Sequence, residues 1–399
     1  MPIRRDGLDP LTALGELRAA EPVSKLSRVF GMNVWLVTGY EQARAVLGDT
    51  KSYSTDIRSL LGSGTDQPIG GLGFTDPPAH TRLRSLLTPE FTGRRLAALL
   101  PRIEQIVGDQ LDLLNSSGAV VDLVSEFAFP IPFLVICELL GLPVEDRERF
   151  RELGSARFDV NGGGAGTFGA MSQSRDFLLG AVRNQRNNPG DGLIGAIIRD
   201  HGDDVDDLAL AGLADGLFTG GYETSASMIA LGTLCLLRDP ESFELIRKDD
   251  GAVAGVVDEL LRYLSVVQIA FPRFARADMD LFGKSVKAGD VVVCSLSGAN
   301  RDAAFGELPD RFEPRRAGRS HLAFGHGFHR CVGSELARME LQVAFRELGR
   351  RFPTMELAVK PAELQFRDLS IVYGLQSLPV RLAPVESMVP AVLQGLDAS

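Results

Sequence analysis

A mainly α fold with small β-sheets at its margin, in a single domain over 1–399, is what this sequence predicts, and three observations predict it. Helical periodicity dominates: 93–114, 123–140, 171–184, 205–237, 251–264 and 333–351 all place apolar residues three or four apart. Strand-like runs are few and short, the clearest being 34–37 and 291–294, the second entered through the turn KAGD. No Pro/Ser-rich linker, block of like charge or internal repeat divides the chain.

The composition, 45% hydrophobic and 24% charged, supplies a large buried core and excludes the disordered and fibrous classes. A net charge of -10 opposes binding to nucleic acid or to an anionic membrane. Cys137, Cys235 and Cys294 sit in apolar runs with no CxxC pair, and read as reduced core residues of a cytosolic protein. The start MPIRRDGLDP has no apolar stretch for a secretion signal, and no window approaches the ~18 to 20 apolar residues of a membrane span. A soluble, cytoplasmic chain is expected. The glycine cluster FDVNGGGAGTFG, 158–169, is expected to be a flexible loop, either a surface connector or, over 162–169, a lid.

The segment FGHGFHRCVG, 324–333, carries the most chemistry. Gly325, Gly327 and Gly333 allow tight turns and close approach of backbone to a flat ligand. The helix expected just after Cys331 directs free N–H groups and a positive dipole end toward the sulfur, which lowers a thiol pKa. A zinc site using His326, His329 and Cys331 lacks an evident fourth ligand. A nucleophilic cysteine lacks a well-placed base, and a purely structural loop is the third alternative.

Elsewhere, FTGGYETSAS puts Gly220, Gly221 and Thr224 on roughly one helical face, although two glycines cost about 1 kcal/mol each in a helix interior. Close helix packing with a threonine bonding its own backbone is the bland explanation. His80 and Arg84 in DPPAHTRLR form an i, i+4 pair, Arg273 lies in AFPRFAR, and Glu259 and Arg262 in DELLRYL form an i, i+3 pair.

With these motifs the chain resembles the bacterial soluble class of the cytochrome P-450 superfamily, haem-thiolate monooxygenases, over about 9–382, leaving short terminal extensions. The resemblance implies haem b with Cys331 as axial iron ligand, Phe324 beside the sulfur and Gly325 in the loop. His80, Arg84, Arg273 and His329 would contact the propionates, whose charge of about -2 needs cations if buried. Gly220 and Gly221 would line the oxygen groove, with Thr224 and Glu223 in its proton relay; Gly220 stands where Ala is commoner and Glu223 where Asp is often found. Glu259, Arg262 and Arg311 in LPDRF would form a buried scaffold triad.

The family's substrate regions map to Leu72, Leu217, Phe218, Val267, Gln268, Ile269, Ile371 and Val372, largely apolar, with Gln268 and Tyr373 as candidates to orient a polar group. The implied reaction inserts one atom of O2, by hydroxylation or epoxidation, into a small apolar organic substrate such as a bacterial secondary metabolite. Oxidative coupling on the same scaffold and a haem-based sensor are the alternatives. No flavin or Fe-S motif is joined to the chain, so a separate ferredoxin and NAD(P)H-dependent ferredoxin reductase are implied. Arg94, Arg95, Arg330 and Arg338 are the candidate docking cations, with a solvated surface as the competing reading. A monomer is expected.

Overall fold

The apolar stripes of the sequence close on one another around a central helix. The computed structural model describes residues 2–29, 31–56, 72–158, 163–316 and 320–382. Its helices are α1 (Thr12–Ala20), α2 (Tyr40–Gly48), α3 (Ala79–Leu87), α4 (Gly93–Ser117), α5 (Pro130–Leu140), α6 (Val144–Phe158) and α7 (Gly163–Asn187). They continue with α8 (Leu193–His201), α9 (Asp207–Leu237), α10 (Pro240–Lys248), α11 (Asp250–Leu264), the short α12 (Leu296–Ala299) and α13 (Ser334–Arg351).

Helix α9 starts at an Asp206 cap, whose carboxylate accepts from Ala209 N at 2.8 Å. From Ser225 to Leu236 every residue is buried, as befits a helix that is apolar all round and crosses the core. It packs on α5, α7, α11 and α13. All of the long helices expected from periodicity are present except one. The 123–140 segment divides into β6 (Val120–Asp122), a π-helical turn Val124–Ala128 and α5. Asp122 accepts from Val124 N and Leu378 N, which holds the start of the segment in a sheet, and Pro130, lacking an N–H, restarts the helix.

Two further expectations need correction. The glycine cluster is not wholly a loop: α7 begins at Gly163, while 159–162 lie outside the described residues. Packing of α7 along α6 and α9 overrides the weak helix propensity of glycine. Helix α6 was not expected, because its sequence, VEDRERFRELGSARF, is mostly charged. Phe150, fully buried against Phe133 and Phe218, anchors it.

The principal sheet has the order β3-β4-β10-β7-β5, from Val23–Val29, Met32–Val37, Val291–Cys294, Arg273–Ala275 and Tyr53–Ser54. The two strands expected from sequence are parallel neighbours, with Val291 opposite Val34. β7 pairs antiparallel with β10, which places Arg273 at a sheet position. A second sheet, β11-β12-β6, joins Glu356–Leu357 and Pro379–Arg381 to β6. Cys137, Cys235 and Cys294 are free and buried, as expected. Among the described residues no helix is long and apolar enough to cross a membrane.

Candidate active site

The cysteine loop is built by its own backbone. Gly325 N donates to Leu322 O at 2.8 Å, Arg330 N to Gly327 O at 3.1 Å and Cys331 N to Phe324 O at 2.9 Å. Gly327 has φ +69°, and a Cβ there would lie 2.7 Å from Gly48 Cα and 2.8 Å from Leu47 O, so only glycine lets the loop rest on α2. Gly325, at φ +71°, makes the other left-handed turn.

Cys331 is the one exposed cysteine among the described residues, while the other three are buried. Its thiol pKa is raised, contrary to the expectation from the following helix. Desolvation by the surrounding protein outweighs the N–H of Gly333 and the positive charges of Arg84, Arg330 and Arg338, all of which act to lower it. The Arg338 guanidinium lies 4.8 Å over the Phe324 ring.

Next to this loop one imidazole is buried and a second half-buried, and both carry ring nitrogens without a partner among the described residues. His80 is 1% exposed, and among the described residues neither of its ring nitrogens has a hydrogen-bond partner; Nδ1 of His329 has none there either, while its Nε2 lies 3.4 Å from Thr55 Oγ1. The rings are 4.4 Å apart between centroids. Burial, then Arg84, pushes the His80 pKa down to about 4, and burial, then Arg273 and His80, pushes His329 to about 4. Arg273 is buried with Nη1 donating to Phe271 O at 2.9 Å, and no ion pair forms on it among the described residues. Arg84 Nη1 donates to Arg330 O at 2.6 Å, so both members of the i, i+4 pair reach the cysteine loop or its surroundings.

Buried polar groups left this way are rare, because an unsatisfied donor costs about 1–3 kcal/mol. A flat group with two carboxylates on one edge would satisfy them together and would leave the exposed thiol of Cys331 to bind it. The residues present therefore fit a haem. A zinc reading fits less well: among the described residues no three His, Cys, Asp or Glu groups converge as metal ligands.

Helix α9 contributes Gly220, which is exposed; a Cβ added there would meet nothing within 4 Å. Gly221 does not share that open space. A Cβ there would meet Ile136 Cδ1 at 3.1 Å, so its role is close packing of α9 on α5, and the expectation that it lines the groove is corrected. Thr224 Oγ1 donates to Gly220 O at 2.6 Å, which leaves the hydroxyl oxygen free to accept from a guest. Glu223 is held by Arg367 at 2.5 Å, and Arg367 also donates to Ser227 Oγ at 2.5 Å. Burial raises the Glu223 pKa while Arg367 opposes that rise.

Arg367 was not singled out from sequence, and neither was Glu340 on α13. Glu340 is fully enclosed, and burial pushes its pKa up to about 8 against a hydrogen bond from Ser225 of α9. Its proton is retained in the folded chain and lost in the unfolded one between about pH 4.3, the ordinary glutamate value, and 8. The unfolded state binds fewer protons over that window, so stability falls as pH rises. Glu340→Gln is expected to remove the dependence, stabilising by a few kcal/mol at pH 8 and little at pH 5, as read from denaturant unfolding at both values.

Among the expected pocket residues, Ile371 is exposed, and Leu72, Leu217, Val267, Ile269 and Val372 are partly buried. Two are corrected. Phe218 is fully buried in an aromatic cluster with Phe150 and Tyr222, and Gln268 is fully buried in hydrogen bonds to Arg5, Ile3 O and Ser370 O. Tyr373 likewise donates its hydroxyl to Gly7 O at 2.7 Å. None of the three is exposed.

The scaffold pair is present and buried: Arg262 binds Glu259 through two 2.7 Å hydrogen bonds and reaches Asn300 O and Pro309 O, both at 2.7 Å. The third arginine is Arg316, whose Nε donates to Glu259 Oε1 at 3.1 Å, and not Arg311. Arg311 contributes its backbone carbonyl, which accepts from Arg262 and Arg316 while its side chain is exposed. The basic surface is also weaker than its sequence implies. Arg338 is paired with Asp258 and Glu335, Arg95 with Glu90, and Arg330 lies 3.8 Å from Glu335.

The cytochrome P450 family model matches residues 173–368. The chain is 39% identical to Cytochrome P450 165B3 of Amycolatopsis orientalis, over 95% of this chain and 97% of that one. It is 37% identical to 6-deoxyerythronolide B hydroxylase of Saccharopolyspora erythraea, over 92% and 94%. Among solved structures, OxyC, a cytochrome P450 implicated in an oxidative C-C coupling reaction during vancomycin biosynthesis, superposes with TM-score 0.86 at 39% identity, over 94% and 95%. A helical fold around an open thiol, matched at this identity over nearly its whole length, places the chain in a single class: it belongs to the cytochrome P450 family. It is a cytochrome P450 monooxygenase enzyme.

Proposed function

We propose that this chain inserts one oxygen atom of O2 into a small, mostly apolar product of bacterial secondary metabolism, at a haem b held by Cys331. The observation that carries this reading is the set of groups under-partnered among the described residues, the buried His80 and Arg273 and the half-buried His329, beside the one exposed cysteine among those residues. When bound, the haem supplies dioxygen activation and oxygen-atom transfer.

The chain's own residues do the rest. Cys331 provides the thiolate, steadied by the Gly333 N–H and by Arg84, Arg330 and Arg338. His80, His329 and Arg273, with Arg84, would hold the propionates. Gly220 leaves open space on α9, and Thr224, whose own proton is committed to Gly220 O, would be free to accept a hydrogen bond there from a protonated guest. Glu223 moves protons toward Thr224 when Arg367 releases it. The partly buried apolar residues Leu72, Val267 and Ile269 exclude water and orient the substrate. Electrons come from a separate ferredoxin and its NAD(P)H-dependent reductase; Arg94 is the candidate cation that no ion pair engages among the described residues.

Turnover with a ferredoxin system under isotopically labelled dioxygen tests this, after substrates are selected from a compound library by their shift of the Soret band. Label in the product supports the reading. The likeness to OxyC favours one second reading, oxidative coupling, whose product has lost two hydrogens and carries no label. Thr224→Ala is expected to lower product formed per O2 consumed by at least ~10-fold, against the ~100-fold that a positioned acid–base group contributes, because water replaces part of the lost hydroxyl. Oxygen uptake and product formation measured together check it.

A further inference from the structure

We propose that the N-terminal segment is a specificity element, in which Arg5, acting through Gln268, sets the position of the two apolar segments, 266–271 and 369–373, which adjoin Arg273 and Arg367 of the candidate site. The inference rests on the haem-thiolate reading in so far as that reading places the reacting centre in the candidate site.

The chain leaves α11 through Ser265, a non-glycine residue at φ 41° and ψ 60°. A left-handed conformation is unfavourable for a residue with a Cβ and persists only where the surroundings enforce it. Arg5 Nη2 donates to Ser265 O at 2.8 Å, and Asn300 Nδ2 donates to Ser265 Oγ at 2.7 Å. The direction in which 266–271 sets out is therefore fixed partly from the N-terminus.

Three residues on, Gln268 joins all three segments. Its Oε1 accepts from Arg5 Nε at 2.9 Å, and its Nε2 donates to Ile3 O at 3.0 Å and Ser370 O at 2.7 Å. Backbone bonds register 266–271 against 369–373: Gln268 N to Ile371 O at 3.0 Å and Tyr373 N to Val266 O at 2.8 Å. Arg5 also lies 4.7 Å over the Tyr373 ring, whose hydroxyl returns to Gly7 O. The far end of the same hairpin is tied to α9, where Arg367 binds Glu223 and Ser227.

Side chains alternate along extended backbone, so burying Gln268 turns Val267 and Ile269 the other way, and both stay partly open; Ile371, at the hairpin tip, is 55% exposed. Arg5 itself is 9% exposed with no carboxylate hydrogen-bonded to it among the described residues. An apolar residue of similar size stabilises such a position at least as well as an unpaired charge does. What only a guanidinium supplies is a rigid fork of donors reaching Leu8 O, Ser265 O and Gln268 at once. Arg5 is thus a positioning residue for these two segments and touches no substrate.

The test uses haem-loaded parent, Arg5→Met, Arg5→Lys and Tyr373→Phe, the last removing only the hydroxyl bond to Gly7. Two ligands are titrated by Soret shift: imidazole, which binds at the iron and is too small to press on the walls, and 4-phenylimidazole, which presses on them. Imidazole affinity is expected to stay within about twofold throughout, while 4-phenylimidazole weakens about tenfold in Arg5→Met and about threefold in Tyr373→Phe, with Arg5→Lys between. Amide exchange over 265–272 is expected to quicken in the same order, with α9 unchanged.

Equal affinities for 4-phenylimidazole in parent and variants, or equal weakening of both ligands, overturns the proposal. Tyr373→Phe decides the matter alone if the Arg5 variants do not fold. A parent that lacks the red-shifted Soret band of the reduced carbon monoxide complex overturns the haem-thiolate reading, a different failure from that of the clamp.

Discussion

Cys331→His is expected to abolish the red-shifted Soret band of the reduced carbon monoxide complex and to lower oxygenation by a factor on the order of 100 or more, while leaving a protein that still takes up haem. Imidazole ligates iron but does not push electron density onto it as a thiolate does. Haem uptake should survive because His80, His329 and Arg273, which would hold its carboxylates, are not altered by the change. Retention of the band would show that a different residue is the ligand. Cys137, Cys235 and Cys294 are buried with thiol pKa values pushed up to about 12 by burial, so none of them is placed to take over.

Glu259→Gln carries the largest expected loss of stability, about 3–5 kcal/mol, because it leaves Arg262, 2% exposed, as an uncompensated buried charge. That is a large share of the ~5–15 kcal/mol available to a folded domain. Soluble yield and the urea midpoint of the purified protein measure it. Arg311→Met is the informative contrast, expected to change stability by less than about 0.5 kcal/mol, since only the Arg311 carbonyl takes part. Arg316→Met should cost about 1.5–3 kcal/mol through the lost charge-assisted bond to Glu259. A larger loss at Arg311 than at Arg316 would reverse the assignment of the third arginine.

Those two arginines mark the limit of sequence reading in the scaffold. Glu259 and Arg262 are three apart on one helix, and helical geometry alone brings them together. The third partner comes from an irregular segment, where spacing says nothing about which side chain turns inward. Arg311 and Arg316 are equivalent as residues, and only packing buries one of them.

The same division runs through the site. The cysteine loop was legible because its chemistry is local: left-handed glycines, a short turn and a helix start all lie within about ten residues of Cys331. Helices α4, α9, α11 and α13 were legible because their apolar periods are long. Gly220 and Gly221, adjacent and identical, were not separable, since which one meets Ile136 depends on where α5 lies. Nor was the state of the thiol: the helix start was visible, but the desolvation that outweighs it comes from the surrounding protein.

Periodicity and spacing within single elements thus determined the class of the fold and singled out the cysteine loop, while the roles expected of that loop and of the cations came from the family resemblance. Tertiary structure alone decided that Arg367 holds Glu223 across 144 residues, that Arg5 holds Gln268 across 263, and that Phe218 and Gln268 are buried. The physical reason is that a buried polar or aromatic side chain takes its role from what desolvates it and what pairs with it, and those neighbours are brought by distant parts of the chain.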